Sequence, residues 1–209
     1  MTSDRMFCID YSRCIGCQSC VQACSECATH RGASMIHLET IHREDSVHTA
    51  PQVCMHCSDP ICARVCPADA IKKTPDGVVQ SSLKPRCIGC SNCVIACPFG
   101  VPKYFADVDQ MMKCDMCYDR TSVGMKPMCA TVCPSGALSY MTHDEFMRTR
   151  RGAVITEWVF GDETVRTKVG MVVPRAMPQV RVELVQIENS STAATPFGRH
   201  DDVAALLGG

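Results

Sequence analysis

The sequence predicts an α+β fold in which short strands and helices form two small modules, followed by a β-rich C-terminal extension. Three observations predict it. Sixteen of the 18 cysteines fall into four quartets between residues 14 and 133, and a unit that recurs in this way is one supersecondary block used several times. Short apolar stretches bounded by Gly, Pro and Asp flank the quartets, as short strands do. Beyond Leu138 the cysteines stop, and residues 153–187 become rich in Val, Ile and Thr, the composition of paired strands.

The composition narrows the class further. The apolar fraction of 46% counts the cysteines; without them it is roughly 37%, low for a protein relying on an ordinary core. Something else must fill the interior. A net charge of −1 gives no support for a nucleic-acid partner. So many cysteines would suggest a disulfide scaffold in a short secreted protein. The repeated C-x-x-C-x-x-C spacing instead favours three thiolates converging on one metal site, because disulfides need particular Cα separations and Cβ directions. MTSDRMFC shows no basic region ahead of an apolar one, so no signal peptide is visible. No uninterrupted apolar run approaches the ~18 residues of a membrane span. The expected protein is soluble, cytoplasmic and metal-loaded.

Taken in order, residues 6–11, with Phe7, Cys8 and Ile9, read as a short strand leading into a binding loop. The first quartet follows as Cys14, Cys17, Cys20 and Cys24; Gly16 lets the backbone approach a cofactor closely, and Val21 and Ala23 suggest a helical turn. Residues 28–51 are a connector with one half-exposed strand in M-I-H-L-E-T-I, which alternates with period two. The second quartet is Cys54, Cys57, Cys62 and Cys66, with a small proline-containing loop in its middle gap. Pro75-Asp76-Gly77 is a turn between two short strands. The third quartet is Cys87, Cys90, Cys93 and Cys97, and the fourth is Cys114, Cys117, Cys129 and Cys133. The polar, glycine-containing insert between Cys117 and Cys129 reads as a surface loop. Residues 143–151 place acids early and bases late, matching a helix dipole. Residues 153–187 read as hairpin material punctuated by Gly161-Asp162 and Pro174. From Asn189 the sequence is expected to be extended, and its closing D-D-V-A-A-L-L-G-G to be a loose or docked end.

Sixteen thiolates are what four [4Fe–4S] clusters need, so the count closes, leaving Cys8 and Cys27 as buried, inert thiols. Zinc also binds thiolate quartets, but structural zinc sites usually join two separated pairs. Three cysteines two residues apart with a fourth before proline is the iron–sulfur form. Three of the quartets end in Cys-Pro. Each such cluster in its oxidised state carries about −2 with its thiolates, so Lys84, Arg86, Lys103, Lys113, Arg120 and Lys126 beside the quartets are candidates to offset it. His56, beside Cys57, reads more simply as a surface or packed histidine than as a residue that tunes a cluster. Cys20, Cys24 and Cys27 have the spacing of a radical-generating site, but the first quartet already uses two of them. No haem-attachment motif and no glycine-rich nucleotide loop is present in the sequence.

C-I-G-C-Q-S-C-V-Q-A-C, C-M-H-C-S-D-P-I-C-A-R-V-C-P, C-I-G-C-S-N-C-V-I-A-C-P and C-D-M-C…C-A-T-V-C-P together resemble the four-cluster, ferredoxin-like iron–sulfur subunits of the dimethyl sulfoxide reductase, polysulfide reductase and formate dehydrogenase type. The resemblance covers about residues 6–142 and implies two modules, each like a two-cluster bacterial ferredoxin. One is built from 1–52 with 100–142 and carries quartets one and four. The other spans 53–99 and carries quartets two and three; 143–209 is the extension and docking tail. It also implies exchanged ligands: cluster A on Cys14, Cys17, Cys20 and Cys133; cluster B on Cys24, Cys114, Cys117 and Cys129; cluster C on Cys54, Cys57, Cys62 and Cys97; cluster D on Cys66, Cys87, Cys90 and Cys93. The implied role is relaying single electrons between a large molybdenum or tungsten pterin subunit and a second partner, which is a membrane anchor, a flavin subunit or a soluble carrier. Such a subunit has no catalytic site of its own. Relatives of this type can also be exported bound to a signal-bearing partner, which makes the periplasm the alternative location. A free-standing polyferredoxin is the alternative function.

Overall fold

The computed structural model describes residues 5–30, 32–42 and 47–173, with the backbone of 180–182; the expectations for residues 189–209 lie outside the described residues. The order of elements is β1 (Arg5–Ile9), α1 (Ser19–Ser25), β2 (His37–His42), β3 (Val47–Gln52), α2 (Ile61–Arg64), α3 (Asn92–Ala96), β4 (Lys103–Phe105), β5 (Gln110–Met112), α4 (Tyr118–Thr121), α5 (Met128–Val132), β6 (Leu138–Thr142), α6 (His143–Thr149), β7 (Ala153–Phe160), β8 (Glu163–Val173) and β9 (Val180–Val182). This is the α+β mixture the sequence predicts. Among the described residues no helix is long and apolar enough to cross a membrane.

Each cysteine run solves the same local problem, which is to turn the backbone tightly around a cofactor. The third residue of the C-x-x-C pair that opens each quartet is left-handed: Gly16 at φ +69°, His56 at +48°, Gly89 at +66° and Met116 at +59°. Glycine adopts that conformation without strain, whereas His56 and Met116 hold a Cβ in a sparsely populated region. A short helix then begins. Gln18 and Ser91, both left-handed, precede α1 and α3, while Pro60 and Pro127 precede α2 and α5. Quartets one and three are therefore one variant of the motif, and quartets two and four another.

Proline decides where the helices stop. A residue before proline is pushed out of the α region, and Cys97 and Cys133 accordingly leave α3 and α5 in extended conformation, with ψ of 116° and 107°. Cys24 has Ser25 after it, so α1 continues through the cysteine. The short helices pack as α1 on α5 and α2 on α3, which brings quartet one to quartet four and quartet two to quartet three. The insert after Cys117, read from its polarity as loop, opens with the single turn α4.

The strands tie these units together. β2 and β3 form a hairpin, as do β4 and β5, and the main sheet has the order β6-β1-β8-β7-β9. β1 lies antiparallel to β6 and parallel to β8. α6 opens with a capping box, in which Thr142 Oγ1 accepts from Glu145 N and Glu145 Oε2 accepts from Thr142 N, at 3.2 and 2.9 Å. The β7–β8 hairpin turns at Gly161-Asp162, as its punctuation predicts, but it is not peripheral. Lys168 N and Val169 N donate to His56 and Met55 carbonyls at 3.1 and 3.2 Å, so β8 braces the second cysteine run from behind. Gly170 shows how tight this seam is, since a Cβ there would lie 2.2 Å from Val154 Cγ1 and 2.9 Å from Met6 Cε. Gly170→Ala is expected to destabilise the fold by about 1–3 kcal/mol through overpacking, seen as a lower denaturant midpoint.

Candidate metal centres

Folding brings the cysteines together in four groups. Cys14, Cys17, Cys20 and Cys133 line one cavity beside Leu38 and Leu138. Cys24, Cys114, Cys117 and Cys129 line a second, which Cys54 and His56 also reach. Cys66, Cys87, Cys90 and Cys93 line a third. Cys57 has Cys54, Cys97 and Cys62 as its charged neighbours, after burial, in pushing its thiol up to about 12. Among the described residues no three His, Cys, Asp or Glu side chains crowd tightly enough to hold one ion. The thiols line cavities instead, and four thiolates are the donor set that an iron–sulfur cluster takes.

The chemistry of these donors fits iron–sulfur clusters. Main-chain N–H groups are aimed at the sulfurs: Met35 N at Cys24, Ala70 N at Cys66 and Leu138 N at Cys133, at 3.2, 3.3 and 3.4 Å. His56 N and Met116 N reach Cys54 and Cys114 in the same way, at 3.5 and 3.4 Å. Burial and neighbouring thiols push Cys20 and Cys62 up to about 11 even though Lys113 pulls Cys62 down. Gathering four thiolates here thus requires a positive centre, and metal binding must expel protons.

The surroundings are not uniform. His30 is fully buried, with Nε2 3.1 Å from Asp115 Oδ1, and Nδ1 3.0 Å from the Cys24 carbonyl and 3.2 Å from its Sγ. Burial disfavours a charged imidazole, yet the bonds to Asp115 and Cys24 override it and raise His30 to about 11. Burial likewise pushes Cys24 up, but His30 outweighs it and holds the thiol below its ordinary value. Asp115 also accepts from Cys117 N at 3.0 Å, so one buried pair steadies two cysteines of quartets one and four. Composition does not reveal this pair, whose members are 85 residues apart; the only local signal is an acid inside C-D-M-C.

Of the six basic residues singled out by position, only Lys113 is sealed from solvent, at 1% exposure. Arg86 and Lys84 pair instead with Asp69 and Asp109 at the surface. Cys8 and Cys27 are both buried. Burial pushes Cys8 up to about 12 despite nearby Arg150, which leaves it a poor nucleophile. Cys27 lies against Cys117, close to a predicted ligand.

Residues 45–143 match the model of a 4Fe-4S dicluster domain. The protein is 36% identical over 165 residues to the B subunit of anaerobic dimethyl sulfoxide reductase from Escherichia coli, spanning 73% of this sequence and 80% of that one. It is likewise 36% identical over 160 residues to the corresponding subunit of the Haemophilus influenzae reductase, spanning 70% and 77%. With the formate dehydrogenase-O iron-sulfur subunit of Escherichia coli it shares 32% identity over 171 residues, 71% of this sequence and 56% of that subunit.

Proposed function

Because this protein belongs to the family of electron-transfer iron–sulfur subunits that includes the B subunit of anaerobic dimethyl sulfoxide reductase, we propose that it carries four [4Fe–4S] clusters. It passes single electrons along them between a molybdenum or tungsten pterin catalytic subunit and a second redox partner, and it has no substrate chemistry of its own. Bound clusters would supply reversible one-electron chemistry. The protein's residues supply the ligands, the spacing and the exclusion of water.

The observation that carries this reading is the linear succession of the four cysteine groups. Cys20, from the first-quartet cavity of cluster A, is among the neighbours that push up Cys129, a thiol of cluster B. Cys54, assigned to cluster C, lines the cavity of cluster B. Cys62 and Cys93, assigned to clusters C and D, share one apolar cluster. These adjacencies support the order A, B, C, D, with the interior groups mostly buried. At the two ends Cys17 and Cys90 are exposed, each in a C-I-G-C loop whose isoleucine, Ile15 or Ile88, is 68% or 66% exposed. An electron relay needs that arrangement, with cofactors close to the surface only where partners dock and apolar side chains there to be covered.

The test is anaerobic purification of the native protein, followed by iron analysis and EPR spin counting after reduction. A large pterin-containing subunit in stoichiometric amount and about four clusters per molecule are expected. Markedly fewer clusters would sink the relay, and a native protein found stably alone would remove the catalytic partner.

A further inference from the structure

His56 is the residue that the fold treats most unexpectedly. It occupies the left-handed position that glycine fills in quartets one and three, although its side chain makes that conformation costly. It is 1% exposed, and its ring is held on one side only: Val79 N donates to Nδ1 at 3.0 Å. With Nδ1 accepting, the ring proton sits on Nε2, which is buried and has no partner among the described residues. A buried donor is normally satisfied, and leaving one orphaned is destabilising. His56 lines the cavity ringed by Cys24, Cys114, Cys117 and Cys129, although it belongs to the loop between Cys54 and Cys57.

We infer that His56 Nε2–H donates a hydrogen bond to a sulfur atom of the cluster held by Cys24, Cys114, Cys117 and Cys129. The loop that carries two ligands of one central cluster thereby reaches across to its neighbour. This rests on the reading that the cysteine groups hold [4Fe–4S] clusters, and it adds a specific donor to one of them. Reduction adds negative charge to a cluster's sulfurs, so an N–H aimed at them favours the reduced form and raises the potential. Main-chain amides do the same at every group. His56 is a side-chain donor committed to one cluster, and it sits where two cysteine groups meet.

The experiment uses the full-length protein purified with its clusters, with 15N-labelled histidine and pulsed EPR on the reduced state. Two histidine nitrogens coupled to that cluster are expected in the unaltered protein, one from His56 and one from His30, which bonds the Cys24 sulfur. In His56→Leu, with iron content and spin count unchanged, one of the two couplings disappears. The midpoint of that cluster falls by about tenfold in its reduction equilibrium, ~59 mV for one electron. His56→Gln, which keeps an N–H donor, recovers part of the shift. Full cluster content in His56→Leu with both couplings intact, or with every midpoint unmoved, overturns the proposal. If His56→Leu binds less iron, the same spectrum is recorded on His30→Gln, where His56 is the histidine still facing that cavity. Persistence of one coupling supports His56, and loss of both assigns them to His30 and overturns the inference. An unaltered protein that lacks the clusters would instead fail the iron–sulfur reading itself, and iron analysis tells the two failures apart.

Discussion

Replacing Cys97 by alanine is expected to remove or cripple cluster C, whose other proposed ligands are Cys54, Cys57 and Cys62, while the cluster nearest Cys97 in sequence stays intact. The argument is geometric. Cys97 follows α3 and precedes Pro98, and the proline forces its backbone into the extended region, with ψ of 116°, so its side chain cannot stay with those of the preceding helical turn. The groups acting on Cys57 include Cys97, whereas those acting on Cys93 are Cys66, Cys90 and Cys87. Double variants make the expectation sharp. Cys97→Ala with Cys57→Ala alters one cluster, because both changes strike the same site and their effects do not add. Cys97→Ala with Cys93→Ala alters two. Iron analysis and EPR spin counting should find about a quarter of the cluster content affected in the first case and about half in the second. The reverse outcome would mean that each run of four cysteines holds its own cluster.

This proposed exchange marks the limit of what the sequence displays in one dimension. The quartets are legible because a ligand run is a local device, whose spacing and glycines are set by the size of the cofactor the backbone must wrap. The role of Cys24 is less legible, because no proline follows it, and the structure answers this with the longer helix α1. The helix at 143–149, with acids early and bases late, and the turn at Gly161-Asp162 are visible for the same local reason. The position of β8 is not. Its parallel pairing with β1 joins Phe7 to Val169, and nothing local to either strand encodes a partner so distant in sequence. Residues 153–173, which read as an appendage, therefore belong to the sheet that braces the second quartet. His30 and Asp115 are hidden for the same reason. Their meaning lies in a contact across 85 positions, whereas each alone looks like an ordinary polar residue near a cysteine.

Lys113→Met is expected to lower the potential of one or both central clusters more than any other single change to a basic residue near the quartets. Lys113 is sealed at 1% exposure, and its ammonium group donates to two main-chain carbonyls, those of Val79 and of Cys114. Among the described residues no carboxylate forms an ion pair with it. A buried cation without a counter-charge is strongly disfavoured, so the balancing charge must come from the thiolates and the clusters they bind. Lys113 is placed for this, adjoining Cys114, proposed for cluster B, and pulling down Cys62, proposed for cluster C. A unit charge roughly 8 Å from a cluster, at an effective dielectric of about 20, contributes about 2 kcal/mol. For a single electron this is on the order of 90 mV. Methionine keeps most of the side-chain volume, so the substitution changes charge with little repacking. Arg86→Met, which removes a charge already screened by water and paired with Asp69, should shift every midpoint far less. Potentiometric EPR titration of the two variants separates the cases, and unchanged potentials at every cluster in Lys113→Met would remove this residue as the counter-charge.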